Sequence, residues 1–262
     1  MTDAQTIELA DGRTLCFAHY GARDGRPVLY SHGAGSSRLE GAVYDAEARA
    51  AGVRIIAVDR PGCGQSSPKA HRSYTSNADD LCELADKLGI ARFVVAGMSN
   101  GGAYTMAAAL RLRDRVTAAI PINSSTPLHD PAARRVTPLV IQGSYALMRY
   151  APRIGLRWAI RNMRKAEGPL RASIREALRQ PDSPYLAQEL ALASHRWDFD
   201  HTAIAQPVDI FSGDRDGGYR YASVWAKQLP SGRLHVFAGG HGDFATPEAA
   251  KRIVAAMAAA GA

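Results

Sequence analysis

At 262 residues the chain is long enough for one large α/β domain, or for a core domain carrying an insertion. Its 46% hydrophobic and 22% charged residues exclude collagen, coiled coil and wholesale disorder. The formal net charge of +7 bears on solubility and non-specific association, and with no zinc, helix-turn-helix or aromatic-interleaved basic signature beside it, no nucleic-acid partner is expected.

No apolar run approaches the roughly 18 residues of a membrane span, so none is expected. The N-terminal stretch MTDAQTIELADGR lacks both the basic n-region and the apolar h-region of a signal peptide. Cys16, Cys63 and Cys82 are an odd number without C-x-x-C spacing, which argues against a disulfide framework. The expectation is a cytoplasmic protein with reduced thiols. Cys63 lies in a glycine-rich loop, where it is either a reactive thiol or, the favoured reading, a buried bystander.

Along the chain, short β-branched runs alternate with amphipathic stretches, the pattern of a mostly parallel sheet with helices on both faces. TIEL and TLCFAHY flank the turn pair Asp11-Gly12 and read as an antiparallel hairpin at a sheet edge. VLYSHG, RIIAVDRPG, FVVAGMS, VTAAIPIN, VDIFSGD and RLHVFAGG follow, each an apolar run ending in a small or polar residue, as buried parallel strands do. Helical patterns cover Leu39 to Ala51, Asn77 to Leu88, Gly102 to Arg111 and Tyr219 to Gln228, and run from Pro247 into the alanine-rich C-terminus. From about Ser125 to Thr202 there is no buried strand, and prolines 127, 131, 138, 152, 169, 181 and 184 punctuate short helical pieces. The expected division is a core of residues 1–124 and 203–262, with 125–202 as a helical cap inserted after the sixth strand.

Gly97-Met98-Ser99-Asn100-Gly101 is a G-x-S-x-G sequence between an apolar strand and a helix. That placement is what a nucleophile elbow demands, because the serine must sit on a sharp strand-to-helix turn with no side chains crowding it. A serine hydroxyl is a poor nucleophile at neutral pH and needs a base, itself held in one tautomer by an acid. With the chain order serine, acid, histidine, His241 is favoured as base: it lies in the loop Gly239-Gly240-His241-Gly242-Asp243 after the last strand, whereas His235 lies inside that strand. Asp214 and Asp216, after the seventh strand, compete for the acid.

In order and over nearly the whole chain, SHGAGSS, DRPGCGQSS, GMSNGG, GDRD and GGHGD resemble the α/β-hydrolase superfamily, in particular its esterase- and lipase-like serine hydrolases with a helical lid. The resemblance implies the α/β-hydrolase fold, an eight-stranded mostly parallel sheet with helices on both faces. In that family the acid follows the loop glycine by three positions, which selects Asp216, although Gly217-Gly218 follow where the family often has an apolar residue and a proline. SHGAGSS resembles the family's oxyanion loop, with the backbone N–H groups of Ala34 and Asn100 as donors and His32 in a structural role. The loop from Asp59 to Ser66 is likewise assigned a structural role near the site.

The implied reaction is acyl transfer through Ser99, with cleavage of a small-molecule ester, thioester or lactone ahead of amide or carbon–carbon bond cleavage. A cyclase or cofactor-free oxidoreductase reusing the triad, and a non-catalytic ligand-binding protein on the same scaffold, stay as alternatives. No cofactor and no metal are expected, since the histidines form no H-E-x-x-H cluster. Between Ser125 and Asp200 stand twelve Lys or Arg against seven Asp or Glu. Arg149, Arg153, Arg157, Arg161 and Arg164 recur at helical spacing, either as a solvated face or as a site for an anionic or carrier-bound substrate. Trp158, Trp197, Tyr145, Tyr150 and Met148 are expected as apolar walls, or simply as cap core. Oligomeric state has no signature in the sequence.

Overall fold

Ile55 and Ala57 point to one side of their strand and Ile56 and Val58 to the other, yet all four are buried, so the sheet carries a packed layer on each face. The computed structural model describes residues 4–180 and 182–260. The start of the N-terminal segment, Pro181, and the last two residues of the C-terminal helical pattern lie outside the described residues.

The eight strands are β1 (Gln5–Glu8), β2 (Thr14–Gly21), β3 (Arg26–Ser31), β4 (Val53–Val58), β5 (Phe93–Met98), β6 (Val116–Ile122), β7 (Val208–Gly213) and β8 (Gly232–Phe237). They form one sheet in the order β1-β2-β4-β3-β5-β6-β7-β8. β1 and β2 are the antiparallel edge hairpin, β2 runs antiparallel to β4, and every later pairing is parallel.

The helices are α1 (Asp45–Ala50), α2 (Tyr74–Lys87), α3 (Asn100–Arg111), α4 (Pro131–Val136), α5 (Leu139–Tyr150), α6 (Pro152–Met163), α7 (Gly168–Ala177), α8 (Tyr185–Ser194), α9 (Tyr219–Gln228) and α10 (Pro247–Ala259). Leu81, Leu84, Tyr104 and Trp225 from α2, α3 and α9 share one buried cluster, and Ala48, Ile253 and Met257 from α1 and α10 share the other, on the opposite face. Strand and helix thus follow the α/β-hydrolase pattern, with α4–α8, the segment expected as a cap and called so below, inserted between β6 and β7.

Three boundaries differ from the sequence reading. The segment expected as one helix from Leu39 is a 3-10 turn (Arg38–Tyr44) followed by α1. Arg38, Gly41 and Tyr44 are buried at a spacing of three, which the eclipsed side chains of a 3-10 turn place on one face. α2 begins at Tyr74 rather than Asn77, because Ser73 and Ser76 form a reciprocal capping box there. α3 begins at Asn100, directly after the serine.

A third, smaller cluster joins the cap to the loop after β4: Ala159, Ala177, Tyr185, Leu186 and Leu190 pack with Cys63. Ser173 of α7 fastens the cap to the loop after β3, its Oγ lying 2.7 Å from Ser36 Oγ and accepting from Ser37 N at 3.0 Å. Arg38 adds an ion pair to Glu176 at 2.8 Å.

Candidate active site

Ser99 has φ 55° and ψ −122°, a conformation that costs a non-glycine residue free energy and persists only where its surroundings fix it. Here they do: Ser99 N donates to Ile122 O at 2.8 Å, and Ser99 O accepts from Ser125 N at 3.0 Å and Gly102 N at 3.0 Å. The turn is possible only with the flanking glycines. A Cβ on Gly97 would lie 2.7 Å from Ser31 O, and one on Gly101 would run into the carbonyls of Ser31 and His32. The chain therefore turns sharply at the carboxyl end of β5 and lifts the serine side chain clear.

His241 Nε2 is 3.1 Å from Ser99 Oγ, and His241 Nδ1 is 2.6 Å from Asp216 Oδ2. A carboxylate only accepts, so Nδ1 carries the proton and Nε2 is left to accept from the serine hydroxyl. Asp216 is 4% exposed at its side chain and His241 55%. The acid is thus shielded, while the ring faces the cavity. Asp216 Oδ1 accepts from Gly218 N at 2.7 Å. Gly218 occupies the place of the family's proline, which has no N–H, so this departure in sequence supplies the carboxylate with an extra donor.

Asp214 stays away from this group. Its carboxylate accepts from Gly239 N at 2.9 Å and its side chain is 50% exposed, so it fastens the loops after β7 and β8 to each other.

Ala34 and Asn100 lie beside Ser99 on the wall of a cavity of about 450 Å³. Among the described residues no protein acceptor takes the N–H of either. His32 is fully buried, with Nδ1 donating to Gly33 O at 2.8 Å and Nε2 accepting from Arg60 N at 3.4 Å. Burial, reinforced by the Arg60 guanidinium, holds its ring well below the ordinary imidazole pKa, and therefore neutral. Glu40, also buried, accepts from Gly33 N at 3.0 Å and from the Tyr30 hydroxyl at 2.8 Å.

The cap closes the far side of the cavity. Tyr145, Met148 and Trp158 line it, as expected of apolar walls. Trp197 and Tyr150 do not: Trp197 is buried against Phe199 and Tyr74 beneath the cap, and Tyr150 is 77% exposed. Among the described residues no Lys or Arg lines the cavity. Arg149, Arg153, Arg157, Arg161 and Arg164 are exposed and, among the described residues, make no ion pair. Pro152 in the first turn of α6 separates Arg149 from the others.

A wider depression, about 790 Å³, is lined by Asp24, Arg26, Arg92 and Phe93 at the amino ends of β3 and β5. Ligands of open α/β sheets bind beyond the carboxyl ends of the strands, where Ser99 sits, so this depression is at the wrong edge.

His32, Asp59 and Cys63 are close enough together to suggest a metal, but their donors are engaged. Asp59 accepts from Arg38 Nη1 at 2.5 Å and from Arg38 N at 2.7 Å, and the Cys63 thiol donates to Ser36 O at 3.2 Å. A dication there would have to displace a guanidinium, so the set does not fit one. Burial pushes the Cys63 thiol well above its usual pKa and Cys16 up to about 12, which leaves both unreactive as nucleophiles.

Two residues around the site had no local signal. Asn123, at the end of β6, bonds the loops that carry Asp216 and His241. Glu189, in α8, reaches Asn100 across 89 positions of sequence. A glutamate in YLAQELALAS looks like the polar face of an ordinary helix, and only the fold reveals what it touches.

Among curated proteins, a 99-residue segment is 36% identical to the dihydrolipoyllysine-residue acetyltransferase component of the acetoin cleaving system of Pseudomonas putida, covering 36% of this chain and 26% of that one. A 125-residue segment is 29% identical to the non-heme chloroperoxidase of Streptomyces lividans, covering 47% and 45%. The chain thus aligns with less than half of either relative. Among solved structures, a hydrolase from Pseudomonas aeruginosa superposes with a TM-score of 0.73 at 22% identity, covering 99% of both chains, a likeness of fold. No described helix is long and apolar enough to cross a membrane. A sequence model described as the alpha/beta hydrolase family matches residues 28–262, and with the sheet order and the elbow at Ser99 the chain belongs to the alpha/beta hydrolase family.

Proposed function

We propose that the protein is a serine hydrolase that cleaves a carboxylic ester, thioester or lactone of a small, uncharged acyl compound through an acyl-enzyme on Ser99. The observation that carries this reading is the unbroken relay from Asp216 Oδ2 through His241 to Ser99 Oγ, at 2.6 Å and 3.1 Å, opening into a mostly apolar cavity.

Ser99 Oγ attacks the carbonyl carbon as His241 Nε2 takes the hydroxyl proton, and Asp216 stabilises the resulting imidazolium. The carbonyl oxygen becomes an oxyanion facing the amides of Ala34 and Asn100, each such donor being worth roughly 3 kcal/mol in the transition state. His241 returns the proton to the departing alkoxide or thiolate. A water then attacks the acyl-enzyme with His241 again as base, releasing the acid and restoring Ser99. No step calls for a metal or a cofactor.

With no Lys or Arg among the described residues of the cavity wall, a buried carboxylate on the acyl group would go unpaired, at a cost of several kcal/mol. The cap arginines can meet an anionic carrier only outside the cavity, so recognition of such a partner would act on docking rather than on the acyl pocket.

The test is turnover of short-chain chromogenic esters. The wild type hydrolyses them, and Ser99→Ala loses at least about a thousandfold in kcat. Unchanged turnover in Ser99→Ala would overturn the reading. Peroxide-dependent halogenation on the same relay is the second reading, favoured by the partial likeness to the chloroperoxidase. It requires peroxide and halide for turnover, whereas ester cleavage requires neither.

A further inference from the structure

The wall of the cavity that holds the amides of Ala34 and Asn100 rests on a charge cluster sealed inside the protein. Glu189 is fully buried and accepts five hydrogen bonds. Oε1 takes Arg60 Nε at 3.1 Å, Tyr104 Oη at 2.9 Å and Arg72 Nη2, while Oε2 takes Arg60 Nη2 at 2.8 Å and Asn100 Nδ2 at 2.8 Å. Burial alone would push this carboxyl up, but Arg60 and Arg72 overcome it and hold the group well below the usual carboxylate range. It is a permanent anion.

Each arm of the cluster ends on a peptide that matters to the proposed chemistry. Arg60 continues past Glu189 to the loop after β3, where Nη1 donates to His32 O and Nη2 to Gly33 O at 3.3 Å. In a planar trans peptide the carbonyl of one residue and the N–H of the next point in opposite directions. Holding Gly33 O from behind therefore aims Ala34 N–H at the cavity. His32 Nδ1 on Gly33 O holds the same plane from a second side, and Glu40 on Gly33 N, with Arg60 on His32 O, holds the preceding peptide.

The second arm is Asn100. Its Nδ2 is held by Glu189, and its Oδ1 accepts from the Tyr74 hydroxyl at 2.7 Å and the Ser125 hydroxyl at 3.3 Å. With that side chain locked, the Cα of Asn100 and the N–H beside it have one orientation.

We propose that Glu189 is a positioning residue: one buried carboxylate, supplied by the cap, holds both halves of the oxyanion hole, Ala34 N–H through Arg60 and Asn100 N–H through the Asn100 side chain. The inference rests on the serine-hydrolase reading. A buried cluster of two guanidiniums and one carboxylate is a poor device for stability alone, since apolar residues of similar volume usually serve as well. What apolar residues cannot do is orient two separate peptides. Because Glu189 belongs to α8, the helices inserted between β6 and β7 supply part of the support of the hole.

The experiment compares Glu189→Gln and Asn100→Ala with the wild type, following kcat and KM on a chromogenic ester and inhibition by an alkylboronic acid, whose tetrahedral adduct on Ser99 puts an oxygen in the hole. Glu189→Gln turns an acceptor into a donor facing Asn100 and Arg60, whereas Asn100→Ala leaves the Arg60–Glu189–Arg72 cluster intact and keeps the test alive if the first variant fails to fold. The expected result is a loss in kcat of roughly ten- to a hundredfold with KM within about twofold, and a boronate Ki raised in proportion. A folded Asn100→Ala with wild-type kcat overturns the positioning role, as does a loss of activity without weaker boronate binding. A wild type that neither cleaves esters nor binds boronate overturns the serine-hydrolase reading itself, and this inference with it.

Discussion

The side chain of Asn123 donates from Nδ2 to the backbone carbonyl of His241 at 2.9 Å, while its Oδ1 accepts the N–H of Gly213 at 2.8 Å. One amide thus ties the loop carrying the histidine to the strand end that launches Asp216. Asn123 has φ 41°, in the left-handed region that asparagine tolerates better than most residues.

Removing that amide is expected to loosen the relay without unfolding the protein. Asn123→Gly keeps the backbone conformation and loses the side-chain bonds, so kcat should fall roughly tenfold with little change in KM. Asn123→Ala should match it in kcat but be less stable by roughly 1 kcal/mol, because alanine resists the left-handed region. Steady-state kinetics and urea unfolding of both variants check this, and full kcat in either contradicts it.

The two carboxylates after β7 should separate cleanly. Asp216→Asn removes the acceptor that fixes the His241 tautomer and should lower kcat by roughly a thousandfold or more. Asp214→Asn weakens its bond to Gly239 N and a long, exposed ion pair to Arg215, and should stay within about threefold of wild type. A reversed order would assign the acid to Asp214.

A cavity with no Lys or Arg among its described lining residues predicts preference among acyl groups. For p-nitrophenyl esters of similar length, kcat/KM for a neutral acyl chain should exceed that for one ending in a carboxylate by roughly tenfold or more. The double charge reversal Arg157→Glu/Arg161→Glu, on the outer face of α6, should leave the neutral ester within about twofold. Preference for the carboxylated ester, lost on that reversal, would bring the arginines into substrate recognition.

His19 in β2 links folding to pH. Burial, with the Arg54 and Arg23 charges adding to it, lowers its pKa from 6.5 to about 4, and Arg54 Nε donates to its Nδ1 at 3.4 Å. Above pH 6.5 neither folded nor unfolded chain is protonated at this residue. As the pH falls from 6.5 towards about 4 the unfolded chain takes a proton that the folded one refuses, so stability drops across that window. His19→Gln should lose less stability over the same window than wild type. Urea midpoints measured across it test the sign, and equal losses contradict the assignment.

The sequence carried the strands because a parallel strand buried on both faces must be almost wholly apolar, as β5 is. It carried Ser99 because the elbow leaves glycine no substitute at 97 and 101, and His241 because only two histidines follow the candidate acids and one of them lies within a strand. The cap was legible as helices interrupted by prolines, but not as particular contacts. Trp197 and Trp158 look alike in sequence, but Trp158 on α6 lines the cavity while Trp197 packs against Phe199 and Tyr74. Asn123 and Glu189 were silent for the same reason. Their partners lie 90 and 89 positions away at Gly213 and Asn100, and such pairings leave no period or motif to read.

The most direct test of the central claim is mass spectrometry of the protein after reaction with a fluorophosphonate, which captures a serine only where a neighbouring base makes it nucleophilic. One adduct per chain, on the peptide containing Ser99, absent from Ser99→Ala and formed far more slowly in His241→Ala, is the predicted result. An adduct on another residue, or labelling of Ser99 at the same rate without His241, would contradict it.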